Sequence, residues 1–223
     1  VVSLDWTEYA LCGQNRVSLN LVTSHGRATP LLWRTHRSSR LKNRRSKYER
    51  DLVEWLHRIL SPQGVHVTIL ADRGFADSRL YEHIHHQLRW DFVIRFRCNI
   101  WVNSADGQSR RAQDWVAFNG QARKLADAQV TARGPRRWSV VFVKKRDMKE
   151  PWNLVSSLGL DADEIVRLYA RRFTCEEQYR DEKDDRFGMG SKQTRVSTTA
   201  RRDRWVLINA LATVLLTLLA ELV

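Results

Sequence analysis

Val65–Phe75 has the sequence VHVTILADRGF, and this stretch decides the fold class. Its first seven residues form a compact apolar run, which is typical of a buried strand in a partly parallel sheet. The run ends at Asp72-Arg73-Gly74. A helix is predicted next, over residues 78–88, and another strand over residues 91–97. A strand, a helix and a strand in this order predict an α/β fold.

The residues before this stretch predict further elements of the same sheet. β-Branched content and partial alternation favour strands at residues 1–11 and 14–23, and a third strand is predicted at 29–36. Apolar residues at helical spacing predict a helix over 46–60, which Pro62 and Gly64 end. The order of elements is similar to the mixed sheet flanked by helices of ribonuclease-H-like folds.

The middle of the chain has a different character. Residues 99–158 are polar and rich in turns, with strand-like patches at 114–118, 138–144 and 152–157. We interpret this region as a β-rich insertion placed before the helix that is predicted over residues 163–184. The predicted organisation is a first part of the core, the insertion, and a second part of the core, at residues 1–98, 99–158 and 159–223.

Two helices are predicted in the second part of the core. Asp161 or Asp163 caps a helix that runs to about residue 184, with Glu164 in its first turn. The last helix begins near Arg201 and contains 19 mostly apolar residues. A membrane span needs about 20 residues. Polar residues interrupt this run and basic residues precede it, so we interpret it as a buried core helix.

Charge and cysteine content limit the function classes. The chain has 38 Lys and Arg against 25 Asp and Glu, a formal net charge of +13. A domain with this charge is expected to bind a polyanion. Nucleic acid is the favoured partner and an anionic membrane surface is the second choice, and the alternative is a basic housekeeping protein without such a partner. Three scattered cysteines argue against a disulfide framework or a structural zinc site and fit a reducing cytoplasm.

The ends of the sequence also carry an expectation. The chain opens with a strand-like pattern, which is unlike a signal peptide. It begins without Met and stops inside an apolar run. We therefore expect a fragment or an isolated domain of a longer protein.

One face of the predicted helix over residues 163–184 carries charged and polar residues that are candidates for a functional site. Tyr169, Glu176 and Lys183 are spaced by seven and Arg172 precedes Glu176 by four, so all four fall on one stripe. A solvated face with ion pairs at helical spacing would have this pattern. A site where DNA phosphate and a metal ion meet would have it too. The spacing alone does not choose between the two.

A family resemblance does choose. Tyr169-x2-Arg172-x3-Glu176-x6-Lys183 resembles the Y-x2-R-x3-E-x6-K signature of the insertion-sequence-4 family of DDE transposases. Further segments resemble the family's first and second acidic motifs, its final insertion strand and the continuation of its catalytic helix. These segments are Leu4-Asp5-Trp6-Thr7, Ala71-Asp72-Arg73-Gly74-Phe75, Lys149-Glu150-Pro151-Trp152, Phe187-Gly188-Met189-Gly190 and Arg201-Arg202-Asp203-Arg204.

The resemblance implies a catalytic site of three carboxylates. Asp5, Asp72 and Glu176 would hold two Mg²⁺ ions, for which Mn²⁺ can substitute, and would catalyse DNA strand cleavage and strand transfer by two-metal-ion transesterification. Asp77 and Asp91 are nearby competitors for the second position, but their contexts do not match the motif.

The resemblance also implies partners and a location. Tyr169, Arg172 and Lys183 would contact phosphates near the transposon end. The partners are transposon-end and target DNA, the protein acts as a homodimer in the DNA complex, and no membrane is involved. The location is the prokaryotic cytoplasm, in association with the nucleoid.

Two other functions compete with a cut-and-paste transposase. A catalytically inactive or decayed transposase would remain as a basic DNA-binding module. A structurally similar nuclease would cleave DNA without strand transfer. The intact set of three carboxylates argues against the first, and the Tyr-Arg-Lys stripe argues against the second.

Overall fold

The computed structural model describes residues 1–117, 119–131, 136–186, 188–191 and 193–221. The chain divides into two compact units. Unit 1 comprises Val1–Val65 and Arg172–Val223, and unit 2 comprises His66–Arg171.

The described strands and helices have the following bounds. The strands are β1 (Val2–Tyr9), β2 (Gln14–Val22), β3 (Ala28–Arg37), β4 (Thr68–Ala71), β5 (Asp91–Phe96), β6 (Trp101–Asn103), β7 (Ser109–Arg111), β8 (Arg123–Val130), β9 (Arg137–Val143) and β10 (Trp152–Ser156). The α-helices are α1 (Arg45–Leu60), α2 (Ser78–Glu82), α3 (Ala162–Ala170), α4 (Phe173–Lys183) and α5 (Thr199–Glu221).

Unit 1 is built on an antiparallel meander of β1, β2 and β3, as the sequence predicts. Gly13 turns the chain between β1 and β2 with a φ of 57°, a left-handed conformation that glycine adopts without a steric penalty. The helices α1, α4 and α5 each contact this meander. The meander is therefore the platform on which the helices of unit 1 are placed.

A polar layer joins the meander to α4. Arg16 on β2 and Glu182 on α4 form an ion pair at 2.9 Å, and both side chains are fully buried. The Tyr9 hydroxyl also donates to Glu182, at 3.2 Å. Farther along β2, the Ser18 and Tyr179 hydroxyls share a hydrogen bond at 2.6 Å. Because buried polar groups need partners with good geometry, these contacts determine how α4 lies on β2.

Unit 2 contains a mixed sheet with the strand order β4-β5-β10-β9-β8-β6-β7. β4 and β5 pair in parallel through the crossover that contains α2, and the other pairs are antiparallel. Ile69, Leu70 and Ala71 on β4 are completely buried, which confirms the buried, partly parallel strand predicted from the apolar run. A mixed α/β arrangement does not by itself identify a protein family or a function, and these have to be argued from the site.

Helix α3 begins with the cap that the sequence predicts. The Asp161 carboxylate accepts the Glu164 N–H at 2.7 Å, and the Glu164 carboxylate accepts the Asp161 N–H at 3.0 Å. This reciprocal capping box satisfies two backbone donors at the start of the helix. It selects Asp161 over Asp163 as the capping residue.

The single helix predicted over residues 163–184 is two helices in the structure. The Arg171 N–H donates to the Leu168 carbonyl and the Cys175 N–H donates to the Arg172 carbonyl, at 3.3 and 2.9 Å. These three-residue turns interrupt the four-residue ladder of an α-helix between α3 and α4. The prediction of one continuous helix over residues 163–184 is therefore wrong, whereas Arg172 and Glu176, which the predicted stripe makes neighbours, do form an ion pair.

The strand predicted at 114–118 is also wrong over its described residues. Ala112–Trp115 forms a 3₁₀ turn, and Phe118 lies outside the described residues. The Ala112 and Gln113 N–H groups donate to the carbonyls of Ile100 and Cys98. These bonds hold the backbone in a turn, so the alternation of side chains does not produce a strand.

Helix α5 differs from the buried core helix that the sequence predicts. It packs one face on β3, where Val206 and Ala210 are buried and the Asp203 carboxylate accepts the Thr35 N–H at 3.0 Å. The rest of its apolar surface is exposed, at Leu207, Ile208, Leu211, Val214, Leu215, Leu216, Leu218 and Leu219. None of the described helices combines the length and the apolar character needed to cross a bilayer.

The buried ion pair predicts a large effect of Glu182→Gln on stability. The substitution leaves the buried Arg16 guanidinium without its carboxylate, which costs about 3–5 kcal/mol when one partner of a buried pair is removed. We expect the free energy of unfolding, measured by urea denaturation, to fall by that amount.

Glu177→Gln is the matched control on the same helix. Glu177 pairs with Arg180 at the surface, where the Arg180 side chain is 70% exposed. Such pairs contribute about 0–1 kcal/mol. Equal losses of stability in the two variants would contradict a special role for the Arg16–Glu182 pair.

Candidate active site

Asp5 lies in the middle of β1, opposite Ser18 of β2. One oxygen of its carboxylate, Oδ1, accepts the Trp6 N–H at 2.8 Å. The other, Oδ2, accepts a hydrogen bond from Arg172 Nη1 at 3.1 Å, and the side chain is only 12% exposed. A paired strand therefore holds this carboxylate in a defined direction at the edge of the buried layer.

Glu176 lies in the first turn of α4. Its Oε1 accepts a hydrogen bond from Arg172 Nη2, four residues earlier, and the side chain is 47% exposed. The positive end of the helix dipole stabilises a carboxylate at this position. Glu176 thus has one oxygen bound to Arg172 and a surface open to solvent.

Arg172 joins these two carboxylates. Its side chain is 7% exposed, and its two terminal nitrogens donate to Asp5 and Glu176. One guanidinium carries a single positive charge and two carboxylates carry two negative charges. The cluster of Asp5, Arg172 and Glu176 therefore has a formal charge of −1 and attracts a further cation.

Asp72 belongs to unit 2, directly after β4. Its Oδ1 accepts the Gly74 N–H at 2.7 Å, which closes a tight turn. A Cβ at Gly74 would lie 3.0 Å from Asp72 Oδ1, so glycine permits this close approach. In the described part of the chain, Oδ2 has no hydrogen-bond partner, and it is the oxygen of Asp72 that can bind a ligand.

The two competitors of Asp72 have structural roles. The Asp77 carboxylate caps α2 by accepting the Arg79 N–H at 3.0 Å. The Asp91 carboxylate binds the Ser157 hydroxyl and the His66 ring nitrogen, each at 2.8 Å. Both oxygens of Asp91 are thus engaged, whereas Asp77, like Asp72, has one oxygen bound to a backbone N–H, and the preference for Asp72 over Asp77 stays a prediction from the motif.

The structure thus brings together Asp5 and Glu176 through Arg172, and it places Asp72 in unit 2. Among residues 1–117, 119–131, 136–186, 188–191 and 193–221, no group of three or more His, Cys, Asp and Glu side chains is arranged to hold a metal ion. In unit 1, the guanidinium of Arg172 provides the positive charge between the two carboxylates.

The residues predicted to contact DNA phosphate have different surroundings. Tyr169 is 1% exposed and its ring packs edge-on against Trp152, with 5.0 Å between ring centroids. This burial is typical of a packing residue, so its contact with phosphate stays a prediction. Lys183 is half-buried in the last turn of α4 and lines a cavity that Arg202 also lines.

Cys175, next to Glu176, has a packing role, as the sequence predicts. It is fully buried beside Ala28 and Tyr179. Burial raises the pKa of the thiol to about 12, so the thiol stays protonated at neutral pH.

Sequence reasoning missed three residues of this region, namely Arg16, Glu182 and Arg202. All three are fully buried in unit 1. The available signal was the alternation of Gln14, Arg16, Ser18 and Asn20 along β2, which places four polar side chains on one face of the strand. That alternation marks a polar face without revealing that helices cover it.

Comparison with known proteins identifies one family. A family model described as the transposase DDE domain matches residues 39–215, more than half of the chain. The match includes Asp72 and Glu176 and begins after Asp5. No curated protein matches the sequence.

The shared guanidinium predicts an energetic coupling between Arg172 and Asp5. Arg172→Gln removes the guanidinium that pairs with the largely buried Asp5 carboxylate, and we expect the free energy of unfolding to fall by about 1–3 kcal/mol in the absence of divalent ions. Because Asp5→Asn removes the charge that Arg172 neutralises, the double variant should lose less stability than the sum of the single variants.

Arg180→Gln is the control for this cycle. It removes an exposed arginine from the same helix, where the side chain is 70% exposed, and should change stability by at most about 0.5 kcal/mol. Additive effects of Arg172→Gln and Asp5→Asn in urea denaturation would show that the two residues do not interact.

Proposed function

Because the chain belongs to the transposase DDE domain family, we propose that it is the catalytic core of a cut-and-paste DNA transposase of the insertion-sequence-4 type. The observation that carries this proposal is the cluster of Asp5, Arg172 and Glu176, in which two carboxylates of the expected site meet at one guanidinium. The cluster lies on a paired strand and on a helix, which are rigid supports for a site.

The donor set fits a hard divalent cation. Carboxylate oxygens are the ligands that Mg²⁺ prefers, and the cluster of Asp5, Arg172 and Glu176 has an excess of negative charge. In the proposed site, Asp5, Asp72 and Glu176 would hold two Mg²⁺ ions. Such ions would supply activation of a nucleophilic oxygen and charge stabilisation of the leaving oxygen in an in-line displacement at phosphorus.

Arg172 has two roles in this proposal. Without metal, it neutralises Asp5 and Glu176, which would otherwise repel each other. If those carboxylates held cations instead, its guanidinium would be available for the DNA phosphate that the family resemblance assigns to it. Arginine suits both roles because its planar fork binds carboxylate and phosphate in the same geometry.

Unit 1 also carries a basic surface suited to DNA. Residues 34–50, here called the basic segment, contain eight Lys and Arg residues and one acidic residue, Glu49. Glu49 is buried and accepts a hydrogen bond from the Trp6 indole at 2.7 Å, while seven of the eight cations are exposed. An exposed run of cations binds the phosphate backbone without regard to sequence.

A homodimer across paired transposon ends remains part of the proposal.

The basic segment predicts a change in the salt dependence of DNA binding. Replacing Arg40, Lys42 and Arg44 by Gln removes three exposed cations. The slope of log affinity against log salt, measured by fluorescence anisotropy with duplex DNA, should become less steep by about 3.

A second triple variant provides the control for net charge. Arg58, Arg146 and Arg167 are exposed and lie outside the basic segment, and replacing them by Gln removes the same charge. The salt slope should change less in this variant. Equal slopes in the two triple variants would mean that net charge, not the basic segment, determines binding.

The catalytic proposal predicts that Asp72→Asn and Glu176→Gln abolish cleavage. Each substitution removes a carboxylate from the metal site, and we expect more than about a 10³-fold loss of Mg²⁺-dependent cleavage of transposon-end DNA. DNA affinity should stay within about twofold because no phosphate-binding cation is lost. Cleavage is measured on denaturing gels, and joined products distinguish a transposase from a simple nuclease.

Neighbouring substitutions of the same kind control this experiment. Asp77→Asn keeps the cap of α2, because Asn caps helices as well as Asp, and Glu177→Gln changes the residue beside Glu176. Both variants should cleave normally. Undiminished cleavage by Asp72→Asn and Glu176→Gln would overturn the proposal. Calorimetry that finds no Mn²⁺ binding lost in Asp5→Ala would favour an inactive DNA-binding module.

A further inference from the structure

A cavity of about 270 Å³ lies in unit 1, at the end of the meander where β1 turns into β2. We call it the Arg202 cavity. Its lining consists of Glu8, Tyr9, Ala10, Leu11, Cys12, Lys183, Ser191 and Arg202. The volume is near the lower end of ligand pockets, which is about 300 Å³, so the cavity suits a single chemical group.

The guanidinium of Arg202 is fully buried. Its Nε donates to Gln14 Oε1 at 3.4 Å and its Nη2 contacts Cys12 Sγ at 3.6 Å. Its central carbon lies 4.2 Å from the centroid of the Tyr9 ring. Within the described residues, Nη1 has no hydrogen-bond partner and no carboxylate lies within ion-pairing distance of the group.

These contacts compensate Arg202 only in part. A cation–π contact contributes about 0.5–2 kcal/mol, whereas removal of a charged group from water costs several kcal/mol. Buried charges are normally paired with an opposite charge. A fully buried guanidinium that lines a cavity, and whose Nη1 has no partner among the described residues, favours an anion as its ligand.

Ser191 provides a second polar group at the same cavity. Its N–H donates to the Glu182 carbonyl at 2.9 Å, which fixes the residue against the end of α4. Gly188 allows the loop to return this closely, since a Cβ there would overlap the Asp181 carbonyl oxygen. Ser191 is 2% exposed, and its hydroxyl has no hydrogen-bond partner among the described residues.

The acidic groups near the cavity do not neutralise Arg202. Glu182 is occupied by Arg16 and by the Tyr9 hydroxyl. Burial raises the pKa of Tyr9 well above its ordinary value, so this phenol stays neutral. Glu8 is exposed and is the carboxylate of the lining, against the two cations Lys183 and Arg202. Among the described residues, no acidic group is thus paired with Arg202.

We propose that the Arg202 cavity binds one phosphate group through Arg202 and Ser191, and that in the protein–DNA complex this group belongs to the DNA backbone. Phosphate supplies the negative charge that Arg202 lacks and an acceptor for the Ser191 hydroxyl. Assignment of the phosphate to DNA rests on the proposed function. Binding of phosphate itself does not.

The first experiment titrates the protein with inorganic phosphate at constant ionic strength, without divalent ions, and follows its thermal unfolding. The melting temperature of the wild-type protein should rise with phosphate, because a ligand that binds only the folded state stabilises it. Arg202→Gln should weaken the apparent affinity about tenfold or more, and Arg201→Gln, which removes the neighbouring exposed cation, should not. An unchanged phosphate response in Arg202→Gln would overturn the proposal.

Ser191→Ala provides a test that does not depend on the folding of Arg202→Gln. Because the Ser191 hydroxyl has no hydrogen-bond partner among the described residues, its removal should leave the melting temperature without phosphate unchanged or higher. The same variant should bind phosphate about three- to tenfold more weakly. A normal phosphate response in Ser191→Ala would overturn the proposed site.

A competition experiment assigns the source of the phosphate. At constant ionic strength, inorganic phosphate should displace duplex DNA from the wild-type protein and from Arg201→Gln, and should have a weaker effect on Arg202→Gln. If phosphate raised the melting temperature but did not displace DNA, the assignment of the bound phosphate to the DNA backbone would be overturned. The phosphate titrations and the competition experiment require neither metal nor cleavage. A negative result for phosphate binding at the Arg202 cavity is therefore distinguishable from failure of the catalytic proposal, which Asp72→Asn and Glu176→Gln test.

Discussion

Arg16 on β2 and Glu182 on α4 form an ion pair in which both side chains are fully buried. The position of α4 on the meander of unit 1 depends on this pair. A charge buried without its partner is costly, so α4 has one favourable position along β2. In that position the first turn of α4 brings Glu176 to Arg172, whose other nitrogen reaches Asp5 on β1. The geometry of the acidic cluster thus follows from a contact outside it.

The same strand face makes other polar contacts with the helices. Gln14 binds Arg202 of α5, Ser18 binds the Tyr179 hydroxyl of α4, and Asn20 Nδ2 lies 3.2 Å from both the Tyr179 hydroxyl and Cys175 Sγ. Apolar contacts are not directional and would allow α4 to slide along the meander. Hydrogen bonds and charges tolerate little displacement, which makes this layer suitable for holding functional groups.

The buried arginines of the described chain differ in how many acids they meet. Arg16 has one carboxylate, Arg172 has two, and Arg202 has none. The first group is balanced and structural. The second has an excess of negative charge and suits a cation, and the third has an excess of positive charge and suits an anion. A DNA strand with divalent ions supplies both kinds of charge, and the basic segment strengthens its attraction to unit 1.

The sequence by itself determined the features that depend on neighbouring residues. The apolar run that forms β4, a helix cap at Asp161 or Asp163 and the strands of the meander follow from local pattern, and the three candidate carboxylates follow from a family resemblance. Only the tertiary structure decided that helix α3 ends before α4, that α5 exposes most of its leucines, and that the polar face of β2 is buried. The burial of that polar face rests on side chains separated by 155 or more residues, such as Asn20 with Cys175 and Arg16 with Glu182, and no local pattern encodes which distant group each one meets.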